Sequence, residues 1–229
     1  MKRLALDTSS LACTVAVKVG DQLVERYEEK PREHTRLVMP MIREALEEAD
    51  VELADLDGIV LGNGPGSFIG MRIAASVAQG LAFGASLSII PVSSLAAVAA
   101  EVLAKSDTEQ VAVAQDAHMK EVYLGLFSRG ANELPKPVCD ERLQGQSAIE
   151  ELSVADPGFT VAGQGWQRYP ELLAANKTWI AEQSDVFFPR AAYLLALSEF
   201  STAIDPIAIQ PAYLRQKVAE PARAEKPGN

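Results

Sequence analysis

The chain begins with KRLALDTSSLACTVAVKVGDQLVERYE, residues 2–28, and this stretch decides the fold class. In residues 2–7 and 12–19, apolar side chains alternate with polar or small ones, which is typical of β-strands that bury one face. Residues 22–28 alternate more weakly, and a Gly-Asp pair just before them supplies the residues of a tight hairpin turn. The sequence therefore predicts a three-stranded antiparallel meander at the start of an α/β protein.

Helix and strand patterns alternate after the meander. Amphipathic or apolar runs of helical length cover residues 35–49, 67–83 and 93–104, and short apolar strand patterns cover 57–62 and 86–90. The predicted order is therefore β-β-β-α-β-α-β-α, a compact layered α/β arrangement.

The second half of the chain begins like the first and is then abbreviated. Two further strand patterns, at 111–115 and 121–127, follow a polar boundary. After them the sequence predicts a loop at 129–146, a short helix near 147–152, a strand at 159–162 and helices near 166–175 and 189–200. We therefore predict an N-terminal lobe over residues 1–104, a reduced C-terminal lobe over 105–215 and a disordered tail over 216–229.

The charge balance excludes one class of function. The chain has 21 Lys and Arg against 31 Asp and Glu, a formal net charge of −10, although 48% of its residues are hydrophobic and can form a core. Because a phosphate backbone attracts Lys and Arg, we do not expect this chain to bind nucleic acid on its own.

The sequence also predicts a cytoplasmic protein that does not enter a membrane. Asp7 interrupts the apolar run at the N-terminus, so no export signal is expected, and two cysteines are too few for a disulfide framework. Residues 73–100 carry no charge and are long enough to span a bilayer. Their Ala, Ser, Gly and Pro content favours a buried helix, strand and second helix instead.

The turn after the first strand is the first candidate site. Asp7, Thr8 and Ser9 place a carboxylate and hydroxyl groups at a hairpin tip. Such a tip either faces a metal-bound phosphate, with the carboxylate reaching Mg²⁺ through water, or is a turn in which the side chains cap their own backbone.

The segment NGPGSFIG, residues 63–70, is the second candidate site. Gly64 and Gly66 allow close backbone approach, and Ser67 can cap a helix whose N-terminus suits an anion. The spacing matches neither the Walker phosphate loop nor the dinucleotide fingerprint. The segment is either an anion site or a tight strand-to-helix turn.

No catalytic or metal-binding residue is predicted. The two histidines, His34 and His118, lack metal-ligand spacing, and no serine lies in a nucleophile-elbow pattern.

The helix predicted over 67–83 is apolar nearly all round, so both of its faces must be covered. The covering surface is either the protein's own core or a partner subunit. For the second case we predict an interface that contains residues of two helices: Leu37, Met41, Ala45, Phe68, Met71 and Ala75.

Four segments resemble the bacterial TsaB (YeaZ) family: Leu6-Asp7-Thr8-Ser9, EHTRLVMPMI at 33–42, GPGSFIGMRI at 64–73 and PAYLR at 211–215. The resemblance covers essentially the whole chain, and the GPGSF segment is its most specific part. The chain departs from the family at Ile69, where Thr is more frequent, and at Met71, where Leu is frequent. The missing Thr hydroxyl weakens the argument for polar ligand contacts at that turn.

The resemblance implies the two-lobed actin/Hsp70/hexokinase-like (ASKHA) fold, with duplicated β-β-β-α-β-α-β-α lobes. It also implies a role in making threonylcarbamoyladenosine beside the tRNA anticodon, as a non-catalytic relative and partner of the transferase TsaD, together with the ATPase TsaE. The implied partners are TsaD, TsaE and a second copy of the chain when TsaD is absent, with tRNA reached only through the complex.

The family's wider superfamily also implies a vestigial nucleotide site. Its candidate residues are Asp7, Thr8, Ser9, Gly64, Gly66, Asp116, Gly163 and Gly165. No tightly bound cofactor is expected, and binding of a magnesium nucleotide stays open. Two other functions stay open as well: an ATP-dependent phosphotransferase with Asp7 and Asp116 around the nucleotide, and, more remotely, a metallopeptidase-like protein.

Overall fold

The computed structural model describes residues 1–154 and 158–215, so the predicted tail at 216–229 lies outside the described residues. The strands are β1 (Lys2–Asp7), β2 (Cys13–Val19), β3 (Gln22–Glu28), β4 (Gly58–Gly62), β5 (Ile89–Val92), β6 (Gln110–Asp116), β7 (Val122–Arg129), β8 (Pro135–Pro137), β9 (Arg142–Gln144), β10 (Phe159–Ala162) and β11 (Ile180–Gln183). The helices are α1 (His34–Glu48), α2 (Phe68–Ala85), α3 (Ser94–Lys105), α4 (Gln164–Arg168), α5 (Pro170–Asn176) and α6 (Ala191–Leu197).

The first sheet has the strand order β3-β2-β1-β4-β5. The first three strands form the predicted antiparallel meander, and β4 and β5 add parallel to β1. Both faces of the sheet are covered. Leu4 and Leu6 of β1 belong to a core shared with α1 and α2, whereas Ala5 between them packs in a second core with α6. The period-2 alternation of the strand therefore separates two apolar layers.

The second sheet has the order β11-β10-β6-β7-β8, and β9 also pairs with β7. An antiparallel β6–β7 hairpin again opens the sheet, and β10 and β11 add in parallel. At the place of α1, however, this lobe has a 3₁₀ turn at Glu150–Val154. The second lobe thus repeats the first in a shortened form, as predicted.

Helices α3 and α6 lie between the two sheets and connect the lobes. Helix α3 follows the first sheet in sequence but packs on the second, and α6 packs on the first. Glu25 of β3 fixes α6, since its carboxylate accepts hydrogen bonds from the Ala192 amide (3.1 Å) and from Arg190 Nη2 (2.6 Å). The lobe boundary predicted between residues 104 and 105 stays a prediction. Helix α3 precedes this boundary in the chain but packs on the sheet of the second lobe.

Three predicted elements have different bounds in the structure. The strand predicted at 86–90 lies at Ile89–Val92, and the helix predicted at 147–152 is only the 3₁₀ turn described above. The helix predicted at 166–175 is two helices, because Pro170 has no amide hydrogen and the preceding Tyr169 is not helical (φ −125°, ψ 84°). Strands β8 and β9 arise in a segment predicted to be a loop.

Candidate functional site

A cleft with a volume of about 950 Å³ lies between the two lobes. The tips of the β1–β2 and β6–β7 hairpins, the start of α2 and the C-terminal segment around Tyr213 line it. Such a volume is within the range of small-molecule sites in proteins. This cleft is therefore the candidate ligand-binding site.

Asp7 lies beside this cleft but does not line it. Its carboxylate is fully buried and accepts hydrogen bonds from Ser94 Oγ (2.5 Å) and from the Ser9 amide (2.6 Å). It also packs on Gly62, where an added Cβ would lie 2.0 Å from Asp7 Oδ2. Burial raises the pKa of the Asp7 carboxyl, and the hydrogen bonds from Ser94 and Ser9 oppose that rise. The side chain is thus enclosed by protein groups.

The glycine segment packs directly on the first hairpin. A Cβ at Gly66 would lie 2.3 Å from the Ser9 carbonyl oxygen, and one at Gly70 would lie 1.9 Å from that of Thr8. The Thr8 hydroxyl donates to the Gly70 carbonyl oxygen (2.7 Å), and the Ser67 amide donates to the Ser9 carbonyl oxygen (2.7 Å). The glycines therefore have a packing role, which the sequence left as one of two alternatives.

Gly64 opens this segment in a conformation that favours glycine. Its φ is +84°, and its amide donates to Ser94 Oγ (3.0 Å), the same hydroxyl that reaches Asp7. Ser67 caps α2 by accepting from the Gly70 amide (3.3 Å), as the sequence predicted.

The tip of the second hairpin closes the opposite side of the cleft. Asp116 accepts hydrogen bonds from the Tyr169 hydroxyl (2.7 Å) and the His118 amide (2.8 Å), and Arg168 Nε lies 3.6 Å from its Oδ2. Residues 118–120 follow with φ of +58°, +53° and +62°, in the left-handed region that residues other than glycine seldom adopt. Like Asp7, Asp116 is held by protein groups.

Gly163 and Gly165 lie at the start of α4, on the second lobe. Gly163 has φ +93°, and a Cβ there would lie 2.3 Å from the Ala114 carbonyl oxygen; a Cβ at Gly165 would lie 2.8 Å from the same atom. Both glycines let α4 approach β6 closely.

Of the predicted nucleotide residues, Ser9, Gly66 and Asp116 line the interlobe cleft, whereas Gly163 lines a separate pocket on the second lobe. Both aspartates already accept hydrogen bonds from groups of the chain itself. They do not fit a magnesium nucleotide, and the vestigial site stays a prediction.

The histidines form no metal site in the described part of the chain, where no three His, Cys, Asp or Glu side chains come together in a suitable group. Both line the cleft. His34 is 8% exposed; its Nε2 donates to the Ser10 carbonyl oxygen (2.8 Å), and its Nδ1 has no hydrogen-bond partner within residues 1–154 and 158–215.

The six predicted interface residues divide into two groups. Met41, Ala45, Met71 and Ala75 are at most 6% exposed and pack inside the chain itself, so they offer little surface to a partner. Leu37 is half-buried and Phe68 is exposed. The interface stays a prediction, and other residues of the same helices must supply most of its surface.

The outer face of α2 is exposed and largely apolar. Ile69 is 70% exposed and Phe83 is 60% exposed, and a Cβ at Gly80 or Gly84 would meet nothing within 4 Å. Arg72 is the single charged residue among the 18 of this helix. By length and composition α2 could cross a membrane, but core helices of soluble proteins can have the same length and composition.

A second feature of α2 is not predictable from the sequence. The guanidinium of Arg72 stacks on the Phe68 ring (3.7 Å to the centroid), and its Nε donates to the Tyr213 hydroxyl (3.1 Å). Tyr213 lies in the PAYLR segment, which was of interest in the sequence only because it resembles a segment of a known family. No local pattern indicates that residues 213 and 68 meet.

Comparisons with known proteins agree with this architecture. The model of the family described as "TsaD: tRNA N6-adenosine threonylcarbamoyltransferase" matches residues 27–198. The chain is 37% identical to the "tRNA threonylcarbamoyladenosine biosynthesis protein TsaB" of Haemophilus influenzae, over 94% of each chain, and 33% identical to that of Escherichia coli, over 96% of each.

A solved structure described as "YeaZ from Pseudomonas aeruginosa" is similar with a TM-score of 0.82 and 32% identity, over 93% of this chain and 99% of that one. A second Pseudomonas aeruginosa structure, of "an uncharacterized protein with similarity to peptidase YEAZ", has a TM-score of 0.84 and 33% identity over the same shares. The predicted two-lobed actin-like α/β fold is confirmed.

Proposed function

The chain belongs to the TsaB family of tRNA threonylcarbamoyladenosine biosynthesis proteins, and we propose that it acts there as a non-catalytic subunit. In this proposal it binds and supports TsaD, together with TsaE, during threonylcarbamoyl transfer to the adenosine beside the tRNA anticodon. It pairs with a second copy of itself when TsaD is absent, and it works in the cytoplasm.

The single observation that carries the proposal is the outer face of α2. Eighteen residues with one charge form this helix, yet its outward side presents Ile69 and Phe83 to solvent beside the open glycines Gly80 and Gly84. Exposed apolar faces of this kind are typical of protein interfaces. Small residues on such a face let a partner helix approach closely.

The environment of the cleft supports a non-catalytic role. The two carboxylates that a phosphotransferase of this fold would direct at a magnesium ion, Asp7 and Asp116, are bound by hydroxyl groups and backbone amides of the chain itself. The net charge of −10 supports the further expectation that tRNA is held mainly by other subunits.

A charge on the outer face of α2 tests the proposal without disturbing the core. In Gly80→Glu the new side chain has open space, and replacing a helical glycine should favour folding by about 0.5–1 kcal/mol. If α2 faces TsaD, the carboxylate is buried without a partner on assembly, which costs about 3–5 kcal/mol and weakens binding at least 100-fold.

Gly145→Glu is the matched control, because Gly145 also has open space around its Cα but lies in the second lobe. Light scattering of mixtures with TsaD measures assembly, and reconstituted tRNA modification measures function. We expect Gly80→Glu to lose both and Gly145→Glu to retain both. Normal assembly of Gly80→Glu would exclude this face, and full modification by TsaD and TsaE without the chain would exclude the supporting role.

A further inference from the structure

The segment that follows α6 crosses from the first lobe to the second. Residues 201–215, which we call the strap, run from the edge of the first sheet to the tip of the β6–β7 hairpin. On the way Tyr213 and Arg215 line the interlobe cleft. The strap is therefore a connection between the two walls of the cleft, separate from helices α3 and α6.

On the first lobe the strap is attached over most of its length. The backbones of Ile204 and Ile89 exchange two hydrogen bonds (2.8 and 3.0 Å), which add the strap to the edge of β5. Further along, the side-chain amide of Asn63 donates to the Gln210 carbonyl oxygen (3.0 Å). The Asn63 carbonyl oxygen accepts from the Ala212 amide (3.0 Å). This end of the strap is therefore firmly held.

On the second lobe the attachment is short. In the described part of the chain, every hydrogen bond from the strap to that lobe comes from Arg215. Its Nη2 donates to the Ala117 carbonyl oxygen (3.0 Å) and lies 2.6 Å from Oε2 of Glu121, and its Nη1 lies 3.3 Å from the sulfur of Met119. Leu214 adds apolar packing on the core of the second sheet. The polar attachment therefore depends on one side chain.

The hairpin tip that Arg215 holds is strained. His118, Met119 and Lys120 are consecutive residues with φ of +58°, +53° and +62°. Non-glycine residues in this region raise the energy of the backbone, and they persist where surrounding contacts fix them. Arg215 supplies contacts on both sides of His118, to the residues before and after it. Relaxation of the tip therefore lowers the cost of releasing Arg215.

We propose that the strap is a latch for the interlobe cleft. With Arg215 bound to the hairpin tip the two lobes are held together, and its release lets them separate about α3 and α6, which lie between the two sheets. Such hinge motions use a few contacts that exist in the closed form alone. The latch concerns the cleft and does not rest on the role proposed for the outer face of α2.

Thiol trapping measures the opening of the cleft in the full-length chain. Met71 lines the cleft and is 3% exposed, so the thiol of Met71→Cys is modified when the cleft opens. Cys13 is fully buried in the core of the first lobe and reports unfolding in the same sample. The substitution Cys139→Ser removes the remaining thiol. When closing is faster than modification, the rate at residue 71 is proportional to the open fraction.

Variants at the second-lobe end test the latch. Arg215→Ala should raise the modification rate of Met71→Cys about tenfold, the effect of one lost hydrogen bond to a charged group, and leave the Cys13 rate unchanged. Glu121→Gln removes only the ion pair and should raise the rate about two- to fivefold. Arg36→Ala is the matched control, because it removes an ion pair within the first lobe. A rate at residue 71 that is unchanged in Arg215→Ala, or that rises only together with the Cys13 rate, would overturn the proposal.

The first-lobe end of the strap gives an independent test. Asn63→Ala removes the donor to the Gln210 carbonyl oxygen and leaves the backbone hydrogen bonds of residue 63 in place. Because loosening either end of a latch opens it, Asn63→Ala should also raise the rate at residue 71. The double variant with Arg215→Ala should exceed the larger single effect by no more than about twofold, since the two ends act in series. An unchanged rate in Asn63→Ala, or two effects that multiply, would overturn the strap as the link between the lobes.

Discussion

A pH dependence of stability is expected at Glu141, in the loop between β8 and β9. Its carboxylate accepts a hydrogen bond from the hydroxyl of Ser93, which itself caps α3 by accepting from the Ala96 amide (3.1 Å). Burial raises the pKa of the Glu141 carboxyl from 4.5 to about 7, although the hydrogen bond from Ser93 opposes the rise. Between pH 4.5 and about 7, the Glu141 carboxyl is therefore mostly protonated in the folded protein and mostly ionised in the unfolded chain.

The sign and size of the effect follow from these two values. Below pH 4.5 the Glu141 carboxyl is protonated in both the folded and the unfolded state, so the free energy of unfolding is not reduced. As the pH rises from 4.5 to about 7, only the unfolded chain ionises, so the free energy of unfolding falls. At about 1.4 kcal/mol for each pH unit, the loss reaches about 3 kcal/mol above pH 7, of which about 2 kcal/mol falls above pH 5.5.

The variant Glu141→Gln removes this dependence but keeps an acceptor for Ser93. Urea unfolding at pH 5.5 and pH 8 avoids the low solubility expected near the pI of 4.8. The stability advantage of Glu141→Gln over the parent should grow by about 2 kcal/mol between these pH values. The exposed Glu47→Gln on α1 should show no such growth. An advantage of Glu141→Gln that is equal at both pH values would refute the assignment.

Three further changes test the packing. Ala75→Glu should destabilise the isolated chain by about 3–5 kcal/mol in urea unfolding, because residue 75 is 6% exposed, whereas Gly80→Glu on the same helix should not; equal stabilities would contradict the described burial. Arg129→Met should cost about 2–4 kcal/mol, because the guanidinium of Arg129 donates to the carbonyl groups of Leu103, Ser106 and Thr108, at and just beyond the end of α3, and a thermal melt unchanged from the parent would exclude this role. A thiol reagent at pH 8 should modify the half-buried Cys139 readily and Cys13 only after unfolding, since burial raises the pKa of the Cys13 thiol to about 12; rapid loss of both thiols would be the contrary result.

Much of the fold could be predicted because its signals are local. The alternation in β1 and β2, the turn at Gly20 and the apolar stripe of α1 each depend on residues that are close in the chain. The short elements of the second lobe were harder to place. Strand β9, for example, exists because Leu143 pairs with Tyr123 twenty residues earlier, and three residues carry too little periodicity to reveal it.

The candidate sites likewise combine local features, which the sequence indicates, with contacts between distant residues, which it does not. The sequence by itself determined the family, the two lobes and which segments carry the turns of the cleft, because hairpin tips and glycine loops have recognisable residues. It could not decide which side of α2 is buried, because a helix that is apolar all round has no polar face to mark the outside. Only the tertiary structure placed Met71 and Ala75 inside and left Ile69, Gly80 and Phe83 outside. It likewise enclosed Asp7 between Ser94 and Gly62, which are far from it in the chain, so that the carboxylate binds groups of the protein itself.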